Sequence, residues 1–279
     1  MTVRPSPPVR LVATDMDGTF LGADGQISEL NRRAVFAAAD QGVQMVFATG
    51  RPARWLEVLE PLRPAHPRVI ASNGAVSFDL DSGRTLTAHE VPAAVTATVV
   101  DDLEQALPGL AFALEYVEGW GRLASYPLRG DFVEAILVAD TMAELLGAGQ
   151  TIKLLVLSPD IDTVTLMRLA EPIVAGRLDV TFSFVQDSGL LELSAPGVSK
   201  GSALSALMAE LGVAPAQLAA FGDMPNDLSM LELAGYPFAM GNAHPSLLER
   251  GFRQARHHGD SGVGHAIMEL LGLPDGGID

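Results

Sequence analysis

The chain has 279 residues, of which 48% are hydrophobic and 19% charged, a composition typical of a globular protein of about two domains. Its net charge of −16 argues against a nucleic-acid partner or docking on anionic lipid, and the lack of cysteine excludes disulfides and cysteine nucleophiles. With no hydrophobic signal core at the N-terminus and no apolar run near the ~20 residues of a membrane span, we expect a cytoplasmic protein.

The first part of the chain alternates between strand and helix patterns. The predicted elements are a strand over 9–14, a helix over 28–41, a strand over 43–48, a helix over 52–62 and a strand over 69–72. Such alternation is typical of an α/β fold with a parallel sheet.

The pattern changes near residue 84 and returns after residue 190. The intervening part has predicted helices over 92–106 and 162–170 among predicted strands over 111–116, 122–125, 152–157, 179–185 and 190–194. The later part has predicted helices over 200–211 and 228–234 and strands over 218–221 and 238–240. We therefore predict a core of residues 1–83 and 191–279, interrupted by an α+β insertion over 84–190.

Polar residues follow the first two predicted strands. Asp15 and Asp17 come directly after the first strand, where an open α/β sheet binds its ligands. Thr49 and Gly50 follow the second strand, and a hydroxyl beside exposed backbone N–H groups can bind phosphate. Each pattern, taken alone, also fits an ordinary turn.

Two more polar groups lie in the last part of the chain. Lys200 begins a predicted helix, where an ammonium and the helix N-terminus both favour an anion, although a solvated lysine is the simpler interpretation. Asp223, Asn226 and Asp227 follow a strand and offer oxygen ligands suited to Mg²⁺, although they also fit an Asx-rich turn. A parallel sheet would bring all four groups to one edge, where crowded carboxylates require a cation.

With these motifs the sequence resembles the haloacid dehalogenase-like (HAD) superfamily. The matching residues are Asp15-Met16-Asp17-Gly18-Thr19, Thr49, Lys200, and Gly222-Asp223 with Asn226-Asp227; Phe20 departs from the usual Leu. The insertion resembles the α/β cap of the Cof-type branch, as do the segments Thr49-Gly50-Arg51, Ser72-Asn73-Gly74-Ala75, Ser199-Lys200-Gly201 and Ala239-Met240-Gly241-Asn242-Ala243. The resemblance implies a Rossmann-like parallel-sheet core with an inserted α+β cap.

The resemblance also implies an activity and a role for each motif residue. The expected enzyme is a Mg²⁺-dependent phosphatase that hydrolyses small phosphorylated metabolites, such as sugar phosphates or phosphorylated cofactors, through an aspartyl-phosphate. Asp15 would be the nucleophile and Asp17 the general acid and base. The phosphate-binding residues would be Thr49, Gly50, Lys200 and Asn226, and the metal ligands Asp15, Asp17 through its backbone carbonyl, Asp223 and Asp227.

Four residues are weaker candidates for contacts with the leaving group: Arg51 and Asn73 in the core, and Glu115 and Trp120 in the insertion. Packing is an equally simple role for Trp120. Two other activities remain open, a phosphomutase-type transfer on a sugar phosphate and a phospho-aspartate switch. The sequence does not decide between a monomer and a small homo-oligomer.

Overall fold

The computed structural model describes residues 9–127, 135–182 and 185–274. These residues divide into two compact units. The first comprises 9–51, 55–86 and 199–274, and the second comprises 52–54 and the described part of 87–198.

The described strands are, in chain order, β1 Leu11–Thr14, β2 Gln44–Ala48, β3 Arg68–Ala71, β4 Val76–Asp79, β5 Thr85–Ala88, β6 Ala111–Tyr116, β7 Trp120–Leu123, β8 Leu137–Ala139, β9 Thr151–Leu157, β10 Asp179–Thr181, β11 Leu190–Ser194, β12 Leu218–Gly222, β13 Tyr236–Ala239 and β14 Arg253–Gln254. The described α-helices are α1 Glu29–Asp40, α2 Ala93–Ala106, α3 Met142–Leu146, α4 Thr163–Val174, α5 Lys200–Leu211, α6 Leu228–Leu231, α7 Pro245–Leu248 and α8 Gly262–Leu270. No helix in the described ranges has the length and apolar character needed to cross a membrane.

The first unit is built on a sheet in the order β14-β13-β12-β1-β2-β3-β4-β5. The strands from β14 to β3 pair in parallel, and β4 pairs antiparallel with β3. All four residues of β1 are buried, as expected for a central strand with both faces covered. The α/β class and the parallel sheet predicted from the alternating pattern are therefore confirmed.

Helices α5 and α6 pack on one face of this sheet. Leu204 and Leu207 of α5 join Leu11 of β1 in a buried apolar cluster. Helix α5 begins with a capping arrangement in which the Ser199 hydroxyl accepts a hydrogen bond from the Ser202 N–H. It ends at Gly212, whose left-handed φ of 61° is typical of a helix C-terminus.

The second unit contains a sheet in the order β10-β11-β9-β6-β7-β8. Its pairings are antiparallel except for β7 with β8, as expected for an α+β unit. Alternate residues of β6, such as Phe112 and Leu114, pack with residues of α2 and α4 in a second apolar cluster.

The structure corrects three parts of the sequence prediction. The predicted helix over 52–62 forms 3₁₀ turns over Ala53–Trp55 and Glu57–Ala65, because Pro61 and Pro64 have no N–H for α-helical hydrogen bonds. The predicted boundary at 191 falls inside β11, which pairs with β9 and belongs to the second sheet. The boundary at 83 precedes β5, which lies in the first sheet.

The described structure also contains elements that the patterns did not predict, namely β4, β5, β8, β14, α3, α7 and α8. The predicted strand over 179–185 is shorter, ending at Thr181, and residues 183 and 184 lie outside the described ranges.

One tight contact of the first unit is open to a direct test. Gly74 has φ of +104°, and a Cβ there would collide with the Ser199 carbonyl oxygen at the start of α5. Gly25 has φ of +72° with open space around it. We expect Gly25→Ala to lower the free energy of unfolding by about 1–2 kcal/mol, and Gly74→Ala by roughly 1–3 kcal/mol more. Urea denaturation measures both, and equal losses would contradict the steric argument.

Candidate active site

Four neighbouring strands of the first sheet end at the same edge. In the order β12, β1, β2, β3, the segments that follow them begin with Asp223, Asp15, Thr49 and Ser72. Because these strands are parallel, their carboxyl ends lie side by side, where open α/β sheets bind ligands. The sheet thus brings together residues that are far apart in the sequence.

A wide turn over Met16–Phe20 carries the chain away from Asp15. Gly18 takes a left-handed φ of +73°, and any Cβ there would collide with the carboxylate of Asp223. The buried Thr19 hydroxyl donates a hydrogen bond to Asp223 Oδ1 at 2.8 Å. The turn therefore needs glycine for close approach and a hydroxyl to orient the approaching carboxylate.

Lys200 connects two of the aspartates. Its side chain is 1% exposed, and Nζ donates to Asp15 Oδ1 and to Asp227 Oδ1, each at 2.6 Å. A solvated lysine, the simpler interpretation from sequence, does not occur here. Burial alone would lower the pKa of Lys200. The two adjacent carboxylates raise it by a larger amount, so the pKa of Lys200 lies above its ordinary value.

Asp227 uses both carboxylate oxygens for protein partners. Oδ1 accepts from Lys200, while Oδ2 accepts the backbone N–H groups of Asp223 and Met224, each at 3.0 Å. This carboxylate therefore orients the lysine and shapes the loop that presents Asp223.

The carboxylates of Asp15, Asp223 and Asp227 form one buried cluster. Each offers an oxygen within 4.8 Å of the others. Burial raises the pKa of Asp15 well above its usual range, even though Lys200 opposes the change. Burial, with the Asp227 charge, raises the pKa of Asp223 to about 6. Hard oxygen donors whose like charges destabilise one another fit a divalent cation such as Mg²⁺.

Hydrogen bonds connect Thr49 with Arg51 and with the turn that follows β3. The Thr49 hydroxyl accepts the Arg51 N–H at 3.0 Å, and the Thr49 carbonyl accepts the Asn73 N–H at 2.9 Å. Gly50 lies between Thr49 and Arg51 in this turn. Ser72 and Asn73 both have left-handed φ values, 51° and 57°. The Asn226 amide donates to Asn73 Oδ1 at 3.0 Å, which brings these two candidates together.

Asp17 is placed differently from the other aspartates. Its carboxylate is not one of the three in the buried cluster, and its side chain is 57% exposed. Both of its oxygens accept hydrogen bonds from Arg51, from Nε at 2.8 Å and from Nη2 at 2.6 Å. The two side chains form a bidentate ion pair beside the Met16–Phe20 turn.

The remaining candidates, Glu115 and Trp120, lie in the second unit. Glu115 is 4% exposed and pairs with Arg54. Burial raises the pKa of Glu115, and the Arg54 charge opposes that rise. Trp120 is buried at the start of β7 beside Tyr126. Their contacts with a leaving group stay a prediction.

Sequence reasoning assigned no role to two asparagines that brace the turn after Asp15. Asn31 is fully buried, donates to the Phe20 carbonyl at 2.6 Å and accepts the Gly264 N–H at 2.8 Å. Asn242 donates to the Gly18 carbonyl at 2.8 Å. A signal for Asn31 was present, because it occupies the apolar face of α1 in register with Ala34, Val35 and Ala38.

The Lys200 arrangement leads to a stability prediction for metal-free protein. Lys200→Met leaves buried carboxylates without their cation and should cost about 3–5 kcal/mol of unfolding free energy near neutral pH. Because the folded-state pKa of Asp15 is already raised, ionisation destabilises the fold as pH rises, and loss of the lysine increases that cost. The loss of unfolding free energy in Lys200→Met should therefore shrink toward pH 4. Urea denaturation in chelator at pH 4.5 and 7.5 measures it, and a pH-independent deficit would contradict this account.

Comparison with known proteins places these motifs in a family. The profile of the haloacid dehalogenase-like hydrolases matches residues 12–267. The chain is 32% identical to an HMP-PP phosphatase of Cronobacter sakazakii over 250 residues, covering 86% of each protein. It is 28% identical to a 5-amino-6-(5-phospho-D-ribitylamino)uracil phosphatase of Bacillus subtilis, covering 94% of this chain and 96% of that protein.

A solved structure has the same fold. BT1666, a HAD-superfamily phosphatase of Bacteroides thetaiotaomicron, aligns with a TM-score of 0.80 over 98% of this chain and 99% of its own, at 24% identity. The family match spans the core and the insertion, so the resemblance recognised in the strand-end motifs is confirmed: this chain belongs to the haloacid dehalogenase-like hydrolases.

Proposed function

We propose that this enzyme is a Mg²⁺-dependent phosphatase that hydrolyses small phosphorylated metabolites through an aspartyl-phosphate at Asp15. One observation carries the proposal: the Asp15 carboxylate is buried beside Lys200 and within 4.8 Å of two further carboxylates, at the carboxyl edge of a parallel sheet. Relatives named as phosphatases of small phosphorylated compounds support the substrate class.

Asp15 and Asp223 are suited to bind the metal directly. Each uses Oδ1 for a described protein partner, Lys200 for Asp15 and Thr19 for Asp223, which leaves Oδ2 for a ligand. Asp227 contributes by orienting its neighbours, and the Asp17 backbone carbonyl completes the protein donor set. Bound Mg²⁺ supplies positive charge that offsets the crowded carboxylates and the incoming phosphate.

In the first half of the reaction, a carboxylate oxygen of Asp15 attacks phosphorus while the bond to the leaving oxygen breaks. Lys200 holds the Asp15 carboxylate in place by its bond to Oδ1. Asp17 gives a proton to the leaving oxygen. The Thr49 hydroxyl, the Gly50 N–H, Lys200 and Asn226 would bind the transferring phosphoryl oxygens.

In the second half, water attacks the phosphorus of the aspartyl-phosphate. Its proton passes to the Asp17 carboxylate, the bond between phosphorus and the Asp15 oxygen breaks, and inorganic phosphate leaves. Both halves use the same two aspartates, so neither can be replaced without loss of turnover.

The first test removes the nucleophile. Asp15→Asn keeps an oxygen for Lys200 but cannot form the acyl-phosphate, so we expect turnover to fall by at least roughly 10³-fold with the fold intact. The assay is phosphate release with sugar phosphates, nucleotides, flavin mononucleotide, pyridoxal phosphate, HMP-PP and 5-amino-6-(5-phospho-D-ribitylamino)uracil, with Mg²⁺ or chelator.

The matched control is Asp40→Asn, a change at the exposed end of α1 that should leave activity unchanged. Wild-type rates in a purified Asp15→Asn protein, or undiminished turnover after complete chelation, would overturn the mechanism.

The second test measures metal binding without turnover. At pH 7.5 in chelator, Asp223→Asn should be more stable than wild type by roughly 1–3 kcal/mol, because it removes a carboxylate whose pKa is raised to about 6. The protonated carboxyl group does not destabilise the fold, so the difference in stability between Asp223→Asn and wild type should vanish toward pH 4. Added Mg²⁺ should raise the wild-type melting temperature and leave that of Asp223→Asn nearly unchanged. Equal Mg²⁺ shifts would exclude Asp223 as a ligand.

A further inference from the structure

Arg51 is held in place by several hydrogen bonds near the Met16–Phe20 turn. Its backbone N–H donates to the Thr49 hydroxyl at 3.0 Å, and its carbonyl accepts the Ser72 N–H at 2.9 Å. Its guanidinium donates from Nη1 to the Trp55 carbonyl at 3.2 Å. The side chain is 26% exposed, so backbone and guanidinium are both held by groups of the first unit.

The other nitrogens of this guanidinium bind Asp17. Nε and Nη2 reach the two carboxylate oxygens at 2.8 Å and 2.6 Å, a side-on fork that fixes the plane of the carboxylate as well as its position. Without Arg51, a carboxylate that is 57% exposed would rotate freely about its side-chain bonds. An exposed ion pair contributes little to the free energy of unfolding. The importance of this pair therefore lies in how it orients the Asp17 carboxylate.

We propose that Arg51 is a positioning residue that holds the Asp17 carboxylate where it takes the proton from the hydrolytic water, and that it does not act by binding the phosphoryl group. The inference rests on the proposed function. The step it governs is the second half-reaction, in which the water proton passes to Asp17 and the bond between phosphorus and Asp15 breaks. Formation of the aspartyl-phosphate from a substrate with a good leaving group needs no proton from Asp17 and should depend less on Arg51.

The test is a double-mutant cycle with p-nitrophenyl phosphate and Mg²⁺. Arg51→Ala should lower the steady-state rate by about 10–100-fold, since a general base contributes typically 10²–10⁴-fold. A burst of p-nitrophenolate should precede the slow phase, and mass spectrometry of the intact protein should show phosphorylated enzyme. In an Asp17→Asn background, Arg51→Ala should change the rate by less than about threefold, because residues that act through one another are not additive.

The controls distinguish a positioning role of Arg51 from a purely structural role and from binding of the phosphoryl group. Arg250 forms an exposed ion pair with Glu232 at 2.9 Å, and Arg250→Ala should leave the rate unchanged. Arg51→Lys keeps the charge without the fork and should lie between wild type and Arg51→Ala. Inhibition by inorganic phosphate should be the same in wild type and Arg51→Ala.

Three results would overturn the inference. These are an equal loss with and without Asp17, weaker phosphate inhibition that accounts for the loss, and a loss without phosphorylated enzyme. Each would show that Arg51 acts on the phosphoryl group or on the fold. Failure of the proposed function looks different, because wild type itself would then lack Mg²⁺-dependent turnover.

Discussion

The buried ammonium of Lys200 sits between the carboxylates of Asp15 and Asp227, and the first unit is arranged around this contact. Removing a lysine from water is costly, and only nearby carboxylates with good geometry repay that cost. The three residues come from the start of α5, the end of β1 and the loop after β12. The contact can therefore form only when the parallel sheet has already aligned these strand ends.

The constraint extends to residues that never touch the ammonium. The start of α5 lies against Gly74, where no side chain fits, and the turn that contains Gly74 holds Ser72 and Asn73 in left-handed conformations. Non-glycine residues with positive φ are strained, and they persist where the surrounding structure demands them. The same turn binds the Thr49 carbonyl through the Asn73 N–H. Placement of the lysine and of the expected phosphate-binding hydroxyl thus depends on one strained turn.

The sequence predicted the parts of this arrangement that follow from topology. Residues directly after buried strands must reach the carboxyl edge of a parallel sheet, so Asp15, Thr49 and Asp223 could be placed without coordinates. Side-chain pairing could not be read in this way. The fork between Arg51 and Asp17 depends on two turns that are adjacent in space but separated by 34 positions in the chain. Unit boundaries failed for a similar reason, since the apolar pattern of β11 suits either sheet and only its pairing with β9 decides.

The charges of the site explain why a strongly acidic chain can act on an anion. When Asp15, Asp17, Asp223 and Asp227 are ionised, Lys200 and Arg51 leave two negative charges uncompensated in this group of side chains. One divalent cation would neutralise this remainder, which agrees with the proposed metal site. Lys200 also carries a positive charge at this edge of the sheet, and an ammonium favours an anion. The overall charge of −16 is thus a poor guide to what the site attracts, since the decisive groups are six side chains at one sheet edge.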